Sequence, residues 1–445
     1  MRRLKAVDVA AQHRDTDAMT PDSLRARVSN FSLLLLFIVS IFNYTDRYVI
    51  GILLPGIKRD FQLSDTQMGF LTGIAFTFLY VLAGIPIARL ADKYSRKALV
   101  CISLALWSLT AALGGLARNF VQIALMRTLV GLGEAGASPP SYSLISDLYP
   151  ARQRATAMSI YLAGSPAGIV LGFILGGWLT QQYGWRVALI GLGLPGLLYA
   201  IALTFLLKEP ERGRTDAASM SERSLVRSRG VWSLLRMPTF WHAAVGTGFY
   251  NALIIAYVNW LPSFFVRSHG LSIKQTGLLL ALVVGPTQFV GVMIGGYVAD
   301  RLGKRDVRWY MRCPAAAVLV AMPLFMLSLV AGSVALTSIL LALPLFIGAM
   351  QSSPPFAVTN SLVDAHARSV ASAVLILVIN VISGGVGPLA VGVISDSVAP
   401  TLGMGSLRQA LLIVTPVFCL LASALFLIAG QYICVDLGRK TQAHQ

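Results

Sequence analysis

Charged residues are scarce in this chain of 445 residues, of which Asp, Glu, Lys and Arg together make up 12%. An average soluble domain has about 25%. Hydrophobic residues make up 56% of the chain, and the mean hydropathy is +0.71. So little charge cannot cover a surface that faces water, which excludes a soluble multidomain enzyme. Cysteine is also rare. The chain has four cysteines and no Cys-x-x-Cys spacing, so the sequence predicts neither a disulfide framework nor a bound metal.

Long apolar runs fill most of the chain. A helix needs about 20 apolar residues to cross a bilayer, and the sequence predicts twelve such helices. The predicted spans are 30–56, 66–90, 98–117, 120–146, 154–182, 185–207, 238–266, 274–299, 310–331, 334–360, 368–394 and 407–434. The first 29 residues are polar and lack the apolar core of a signal peptide. The predicted fold class is therefore an all-α integral membrane protein with 12 transmembrane helices.

The basic residues give these spans an orientation. One side, formed by both termini and the loops that follow even-numbered spans, holds 27 of the 36 Lys and Arg residues, and the other side holds seven. Loops rich in Lys and Arg stay in the cytoplasm, so we expect a multi-pass protein of the inner (plasma) membrane with both termini cytoplasmic. The net charge of +17 is then mostly an orientation signal, and no nucleic-acid partner is predicted.

A polar linker separates the spans into two groups of six. We divide the chain into a cytoplasmic tail (1–29), an N-terminal six-helix half (30–207), a cytoplasmic linker (208–237), a C-terminal six-helix half (238–434) and a second cytoplasmic tail (435–445).

The two halves share short motifs at similar positions. Leu63-Ser64 matches Leu271-Ser272, Ala91-Asp92 matches Ala299-Asp300, and Ser138-Pro139-Pro140 recurs as Ser353-Pro354-Pro355. Many secondary transporters are built from internal repeats with the substrate site between them. Chance similarity between apolar helices is the alternative explanation.

An acidic residue followed by a basic turn ends the second span of each half. An Asp at a helix end can hold the basic groups or the N-terminus of a neighbouring helix, and such a contact can form in one conformation and break in another. We therefore predict a conformational latch. Its residues are Asp92, Lys93, Arg96, Asp300, Arg301 and Arg305. The alternative is ordinary basic residues that flank a span.

Four charges fall inside predicted spans, namely Asp46 and Arg47 in the first span and Arg127 and Glu134 in the fourth. One charge at the bilayer centre costs about 2.5–3.5 kcal/mol, so four unpaired charges would cost on the order of 10 kcal/mol. We therefore expect these two acids and two bases to face the protein interior or an aqueous cavity. A purely structural ion network is the alternative, but buried ion pairs are poor stabilisers, which favours a functional role.

The second half has no comparable set of charges in its spans. Its polar side chains are neutral, so we expect it to shape the substrate cavity together with tyrosines of the first half. The predicted cavity residues are Tyr48, Tyr80, Asn251, Asn259, Trp260 and Gln351.

Several of these motifs resemble one known family. The runs 42–47 (FNYTDR), 61–69 (FQLSDTQMG) and 131–135 (GLGEA) resemble the Spinster branch of the major facilitator superfamily. The loops 88–97 and 296–305 resemble the loop signature of that superfamily. The resemblance implies the major facilitator fold, with two pseudo-symmetric six-helix halves, and proton-linked transport of lipid-like amphiphiles. Its eukaryotic members are associated with sphingosine 1-phosphate and lysophospholipids.

Carried over residue by residue, the resemblance makes Asp46, Arg47, Arg127 and Glu134 the proton-coupling set. Burial raises the pKa of a carboxyl group and a neighbouring arginine lowers it, so movement of the arginines would change proton affinity. When both acids are protonated, Arg47 and Arg127 become free to hold an anionic head group.

The sequence thus predicts a proton-coupled secondary active transporter that works by alternating access, is not an enzyme and needs no cofactor. We expect an amphipathic lipid-like molecule or lysolipid as substrate, protons and membrane lipid as partners, and a monomeric protein. A proton-coupled carrier of a small organic anion or drug on the same fold is the alternative. A membrane receptor would need a large extramembrane domain, for which the tails 1–29 and 435–445 are too short.

Overall fold

The computed structural model describes residues 21–212, 234–363 and 367–442. The first 20 residues and most of the predicted linker lie outside the described residues. Within the described ranges the chain forms fifteen α-helices and one short 3₁₀ turn, Gly403–Gly405. The helices are α1 Pro21–Phe61, α2 Asp65–Thr72, α3 Ile74–Lys93, α4 Arg96–Gly114, α5 Phe120–Glu134, α6 Ser138–Leu148, α7 Ala151–Leu162, α8 Gly164–Leu206, α9 Pro238–His269, α10 Ile273–Gly303, α11 Trp309–Val330, α12 Val334–Ala349, α13 Pro354–Ser361, α14 Arg368–Leu402 and α15 Ser406–Gln442.

Nine stretches of the described residues are long and apolar enough to cross a membrane. Two of them, Arg152–Leu206 and Val370–Gly438, are 55 and 69 residues long, far more than the roughly 20 residues that one crossing needs. We call the side with the N-terminus and the α3–α4 turn the inner side, after the predicted orientation, and the opposite side the outer side.

Several helices extend past their predicted ends. The first span was predicted over 30–56, whereas α1 runs from Pro21 to Phe61, so the end of the predicted tail is helical. The last two spans were predicted to end at 394 and 434, whereas α14 and α15 reach Leu402 and Gln442. The predictions stop where the apolar run stops, but a helix continues in water as long as its backbone hydrogen bonds and tertiary contacts persist.

The predicted fourth span, 120–146, is broken in the structure. α5 ends at Glu134 and α6 begins at Ser138, so the break lies before Pro139 and Pro140 and not at them. The two prolines occupy the first turn of α6, where a helix has no partner for the backbone N–H that proline lacks. α13 begins in the same way with Pro354 and Pro355, so the matching sequence motifs produce matching breaks in the two halves.

The start of α2 and the start of α10 also share one local structure. Ser64 accepts a hydrogen bond from the backbone N–H of Gln67, whose side chain bonds back to Ser64, and Ser272 forms the same capping box with Gln275. Each capping box satisfies two backbone donors that a helix N-terminus leaves free. The repeated sequence therefore starts both helices at equivalent positions near the outer side.

Two equivalent glycines bring the halves into contact near these helix starts. A Cβ atom on Gly69 of α2 would lie 2.4 Å from the carbonyl oxygen of Pro388 in α14, and one on Gly277 of α10 would lie 2.2 Å from that of Phe173 in α8. Any other residue would push the helices apart, because real Cβ atoms do not approach a backbone so closely. The halves therefore pack backbone against backbone toward the outer side.

Candidate functional site

A cavity of about 480 Å³ lies between the two halves. Helices α1, α2, α3 and α5 of the first half and α9 and α14 of the second half form its wall. Its lining residues are Arg47, Tyr48, Thr72, Phe76, Thr77, Tyr80, Arg127, Ile255, Asn259, Asn380, Ser383 and Gly384. The charged part of this lining comes from the first half and consists of two arginines, while the second half contributes neutral side chains.

Arg47 pairs with Glu134 at the wall of the cavity. The guanidinium donates from Nε and Nη2 to the Glu134 Oε2 atom at 2.9 and 2.7 Å. The Arg47 side chain is 21% exposed and that of Glu134 is fully buried, so the arginine separates the carboxylate from the cavity. Within the described residues the second oxygen, Oε1, has no hydrogen-bond partner. Both hydrogen bonds from Arg47 therefore meet the same carboxylate oxygen.

Arg127 pairs with Asp46 and also holds the backbone of α1. Its Nη1 atom lies 3.6 Å from the Asp46 Oδ2 atom, and its Nη2 atom donates to the carbonyl oxygen of Arg47 at 2.8 Å. The partners are thus crossed between the helices. The acid of α5 pairs with the base of α1, and the base of α5 pairs with the acid of α1.

Aromatic rings surround the two guanidinium groups. The Arg47 Cζ atom lies 5.4 Å from the ring centre of Tyr44, 4.9 Å from that of Phe76 and 4.8 Å from that of Tyr80. Arg127 lies 4.9 Å from the ring centre of Phe76, on which both arginines therefore stack. Cation–π contacts of this kind stabilise a desolvated guanidinium by about 2 kcal/mol.

The structure brings three of the six predicted cavity residues to the cavity. Tyr48, Tyr80 and Asn259 line it. Trp260 is buried between α9 and α14, where its Nε1 donates to the Pro388 carbonyl oxygen at 3.0 Å, because adjacent residues on a helix face directions about 100° apart. Asn251 and Gln351 also lie outside the described lining. Gln351 is 1% exposed, and its amide nitrogen is 3.4 Å from the Ser352 Oγ atom.

Sequence reasoning missed the cavity residues that carry no charge and form no motif. Phe76 follows Gly73, at which α2 and α3 separate, and this break turns its ring toward the arginines. Asn380 and Ser383 lie three residues apart on α14, a spacing that places two side chains on one helix face. This spacing could have indicated a polar face of α14 toward the cavity. It does not single out these two residues, because other small and polar residues of α14 have similar spacings.

At the inner side, Arg96 is the centre of a buried cluster. Its guanidinium forms an ion pair with Asp147, contacts the Ser143 Oγ atom at 3.0 Å and donates to the Pro210 carbonyl oxygen at 2.9 Å. Its backbone N–H donates to Glu209 at 2.8 Å. Asp147 and Ser143 belong to the first half, and Glu209 and Pro210 belong to the start of the linker that follows α8. The contacts described here therefore join the inner ends of α4 and α6 to the segment that follows α8.

Burial raises the pKa of Glu209, but hydrogen bonds from the Ser95 hydroxyl and from the N–H and guanidinium of Arg96 outweigh burial and lower it overall. Glu209 thus stays ionised near neutral pH and keeps the cluster intact. Of the other predicted latch residues in this loop, Lys93 is exposed, and the side chain of Asp92 lies outside the described residues.

The second copy of the predicted latch forms contacts within its own helices. The Asp300 Oδ1 atom accepts a hydrogen bond from the Tyr310 hydroxyl at 2.9 Å, and Arg301 donates to the Tyr297 hydroxyl at 3.1 Å. Arg305 is exposed. The Asp300–Tyr310 contact connects α10 with α11, the Arg301–Tyr297 contact lies within α10, and neither reproduces the buried cluster around Arg96.

A cluster that sequence reasoning missed joins the halves at the outer side. Asp65, the first residue of α2, is 2% exposed and accepts two hydrogen bonds from Arg267 of α9, at 2.8 and 2.7 Å. It also accepts from Ser395 of α14 at 2.6 Å and pairs with Lys58. Asp396 in turn accepts the backbone N–H of Asp65 at 2.9 Å. Together these residues bind the two halves across the outer end of the cavity.

Sequence comparison finds similarity over most of the chain. The Major Facilitator Superfamily pattern matches residues 36–388. An MFS-type efflux pump of Mycolicibacterium smegmatis is 32% identical over 395 residues, which cover 89% of this chain and 91% of that protein. Protein spinster homolog 1 of Xenopus laevis is 28% identical over 407 residues, which cover 86% of this chain and 76% of that protein.

Structural comparison gives the same family. A solved structure of a bacterial homologue of the human lysosomal transporter Spinster, in an inward-facing and unoccupied conformation, matches with a TM-score of 0.85. It is 25% identical in sequence, and the match covers 92% of this chain and 98% of that one.

Proposed function

The chain belongs to the Major Facilitator Superfamily, and from this membership we propose that it is a proton-coupled secondary active transporter that works by alternating access. The resemblance of its motifs to Spinster is confirmed by the comparisons. The family is a transporter family and implies a small-molecule substrate. The observation that carries the coupling proposal is the crossed set of buried ion pairs, Arg47 with Glu134 and Arg127 with Asp46, at the wall of a cavity between two halves.

We propose that this arrangement crosses the membrane twelve times. Nine described stretches qualify by length and composition alone. Arg152–Leu206 turns at Gly184, with φ 85°, and Val370–Gly438 turns at Gly403, with φ 52°, so each supplies two crossings. The broken pair α5 and α6 supplies the twelfth. An even number places both termini on one side, which the Lys and Arg distribution makes the cytoplasmic side.

The crossed pairs give protonation a direct effect on the cavity. A proton on Glu134 removes the negative charge opposite Arg47, whose guanidinium already reaches the cavity wall. The aromatic rings keep this guanidinium in place, so an anionic head group can replace the carboxylate as its partner. The substrate anion and the ionised Glu134 carboxylate thus compete for Arg47, so a proton on Glu134 favours substrate binding. This competition links the movement of the substrate to that of the proton.

We propose that the substrate is an amphipathic, lipid-like molecule with one anionic head group, such as a lysolipid. The described lining contains two arginines, aromatic rings and neutral amides but no Asp or Glu. Arginine recognises carboxylate and phosphate through two parallel hydrogen bonds, and the aromatic wall suits an apolar chain. A small organic anion or a drug is the alternative, which the similarity to an efflux pump favours.

Three probes separate these two substrate classes by thermal stabilisation of the purified protein. Lysophosphatidic acid carries both a phosphate and an acyl chain, monoacylglycerol only the chain, and glycerol 3-phosphate only the phosphate. We expect lysophosphatidic acid alone to raise the melting temperature, and the increase to be lost in Arg47→Gln. Equal stabilisation by glycerol 3-phosphate would favour the small-anion carrier, and no stabilisation by either phosphate would contradict both assignments.

We also propose that the outer cluster around Asp65 holds the outer side closed. Asp65→Asn removes the charge shared by Arg267 and Lys58, and charge-assisted hydrogen bonds contribute about 1.5–3 kcal/mol. We expect the outer-open population to rise on the order of tenfold or more. The measurement is labelling of Thr77→Cys in the cavity by a membrane-impermeant thiol reagent added outside, in a chain without its native cysteines.

Asp60→Asn is the matched control for this experiment. Asp60 pairs with Arg186 at 2.6 Å, but both residues belong to the first half and are partly exposed, so this variant should leave the labelling unchanged. Equal labelling rates in Asp65→Asn and in the parent chain would show that the cluster does not control the outer side.

A further inference from the structure

A second, smaller cavity lies inside the first half, and Arg127 lines both this cavity and the cavity between the halves. Asp46 and Arg127 line its deep end. Gly114, the last residue of α4, and Ile123, in the first turn of α5, line it near the outer side. Leu189 of α8 also lines this outer part, and it follows the partly exposed Arg186 by about one helical turn. The cavity therefore extends from the outer ends of three helices toward the middle of α1.

Two polar atoms at the deep end have no hydrogen bond. In the described part of the chain, neither the Asp46 Oδ2 atom nor the Arg127 Nε atom has a hydrogen-bond partner. Asp46 is 8% exposed and Arg127 is 6% exposed. The 3.6 Å between Asp46 Oδ2 and Arg127 Nη1 is an ion-pair distance, longer than a hydrogen bond. A buried carboxylate oxygen without a hydrogen bond destabilises the fold, and a bound water removes that cost.

The space and its chemistry suit water. The cavity has room for a water molecule at its polar end, and buried waters bind where polar groups lack partners. The other charged groups near Asp46, namely Arg47 and Glu134, pair with each other on the side of the substrate cavity. Asp46 therefore stands between two cavities, with Arg127 reaching both.

We propose that this second cavity is a water and hydronium site through which protons reach Asp46 from the outer side, independently of the substrate cavity. The proposal rests on the proposed function, in which Asp46 carries a proton. A separate entry lets Asp46 exchange protons with the outer side while the Asp65 cluster keeps the substrate cavity closed there. The proton then passes inside the first half, while the substrate passes between the two halves.

Gly114 allows a direct test of the path. A Cβ atom on Gly114 would lie 3.6 Å from Leu189 Cδ1 and 3.8 Å from Met126 Cβ, which are ordinary contacts, so a side chain fits there and points into the cavity. Gly191 of α8 is the matched control, because its Cβ would meet Leu179 Cδ1 at the same 3.6 Å. Gly191 is exposed on the outside of the helix bundle, where lipid and not water would surround it.

The first measurement is thiol labelling in a chain without native cysteines. A thiol reacts as the thiolate, which forms in water and not in lipid. We expect a membrane-impermeant methanethiosulfonate reagent added outside to label Gly114→Cys and not Gly191→Cys. No labelling of Gly114→Cys, or labelling from the inner side only, would overturn the proposal.

The second measurement is proton uptake into proteoliposomes driven by a lysophosphatidic acid gradient. Gly114→Leu fills the cavity and should lower the uptake rate to near that of Asp46→Asn, while Gly191→Leu should match the wild type. Wild-type uptake by Gly114→Leu, together with loss in Asp46→Asn, would overturn the separate entry and leave the proposed function intact. Wild-type uptake by Asp46→Asn would instead contradict the proposed function. The labelling experiment tests the path in either case, and it does not require Gly114→Leu to fold.

Discussion

Replacing Glu134 with glutamine is expected to abolish the acceleration of transport by a pH gradient, so that uptake is the same with and without the gradient. Glutamine keeps the shape of the side chain and an oxygen that accepts from Arg47, but it cannot take up a proton. Arg47 would then be free for substrate permanently, because no carboxylate competes with it. The variant should therefore still bind lysophosphatidic acid and exchange it across the membrane without responding to a pH gradient.

Glu211→Gln is the control for this change, because Glu211 is exposed beyond the inner end of α8. The readout is uptake of labelled lysophosphatidic acid into proteoliposomes, with and without an imposed pH gradient. Full acceleration by the pH gradient in Glu134→Gln would exclude Glu134 as a proton carrier. Loss of exchange together with loss of acceleration would instead show that the residue is needed for the fold of the site.

Replacing Arg127 with methionine is expected to destabilise the protein by about 3–5 kcal/mol, the usual effect of leaving one partner of a buried ion pair alone. Arg127 is close to the Asp46 carboxylate and donates to the carbonyl oxygens of Asp46 and Arg47, at 3.4 and 2.8 Å. Methionine fills the space over Phe76 but satisfies none of these groups. The double variant Asp46→Asn with Arg127→Met should recover part of the loss, because no buried charge is then left unpaired.

Thermal unfolding in detergent measures this double-mutant cycle. Arg186→Met is the matched control, since the Arg186–Asp60 pair is 40% and 34% exposed and exposed pairs contribute about 0–1 kcal/mol. A double variant as unstable as Arg127→Met alone would mean that the ion pair with Asp46 contributes nothing, and that only the hydrogen bonds to the backbone of α1 matter.

The four charges of the site could be predicted from the sequence because a membrane penalises charge so strongly. Any Asp, Glu or Arg in the middle of a span has to be paired or exposed to water, and this rule selects Asp46, Arg47, Arg127 and Glu134 without any structure. The pairing could not be predicted. Arg127 and Glu134 lie two turns apart on one face of α5. Glu134 pairs with Arg47 and Arg127 pairs with Asp46, because these two neighbouring residues of α1 point in directions about 100° apart.

The outer cluster shows where sequence reasoning ends. Asp65 follows the capping Ser64, a position where an acidic residue is explained by the helix N-terminus alone. Its partners Arg267 and Ser395 are 202 and 330 residues away, and only the packing of the two halves brings them together. In the same way, the sequence does not indicate that Asp147 and Glu209 contact Arg96, because this contact depends on segments that meet only at the inner side of the folded protein.

Helix ends were predictable only where the chemistry of the residues marks them. Gly184, with its positive φ of 85°, lies at the predicted boundary between the fifth and sixth spans. The end of α1 at Phe61 carries no such mark, because Lys58 and Arg59 continue the helix beyond the apolar run.

The coupling of proton movement to substrate movement is the central claim, and it can be measured directly with a pH-sensitive dye trapped inside proteoliposomes. A lysophosphatidic acid gradient, imposed without any initial pH difference, should move protons across the membrane in the wild type. The double variant Asp46→Asn with Glu134→Gln should show only the slow change of protein-free liposomes. Proton movement at the wild-type rate in the double variant would contradict the assignment of these two acids as the proton carriers.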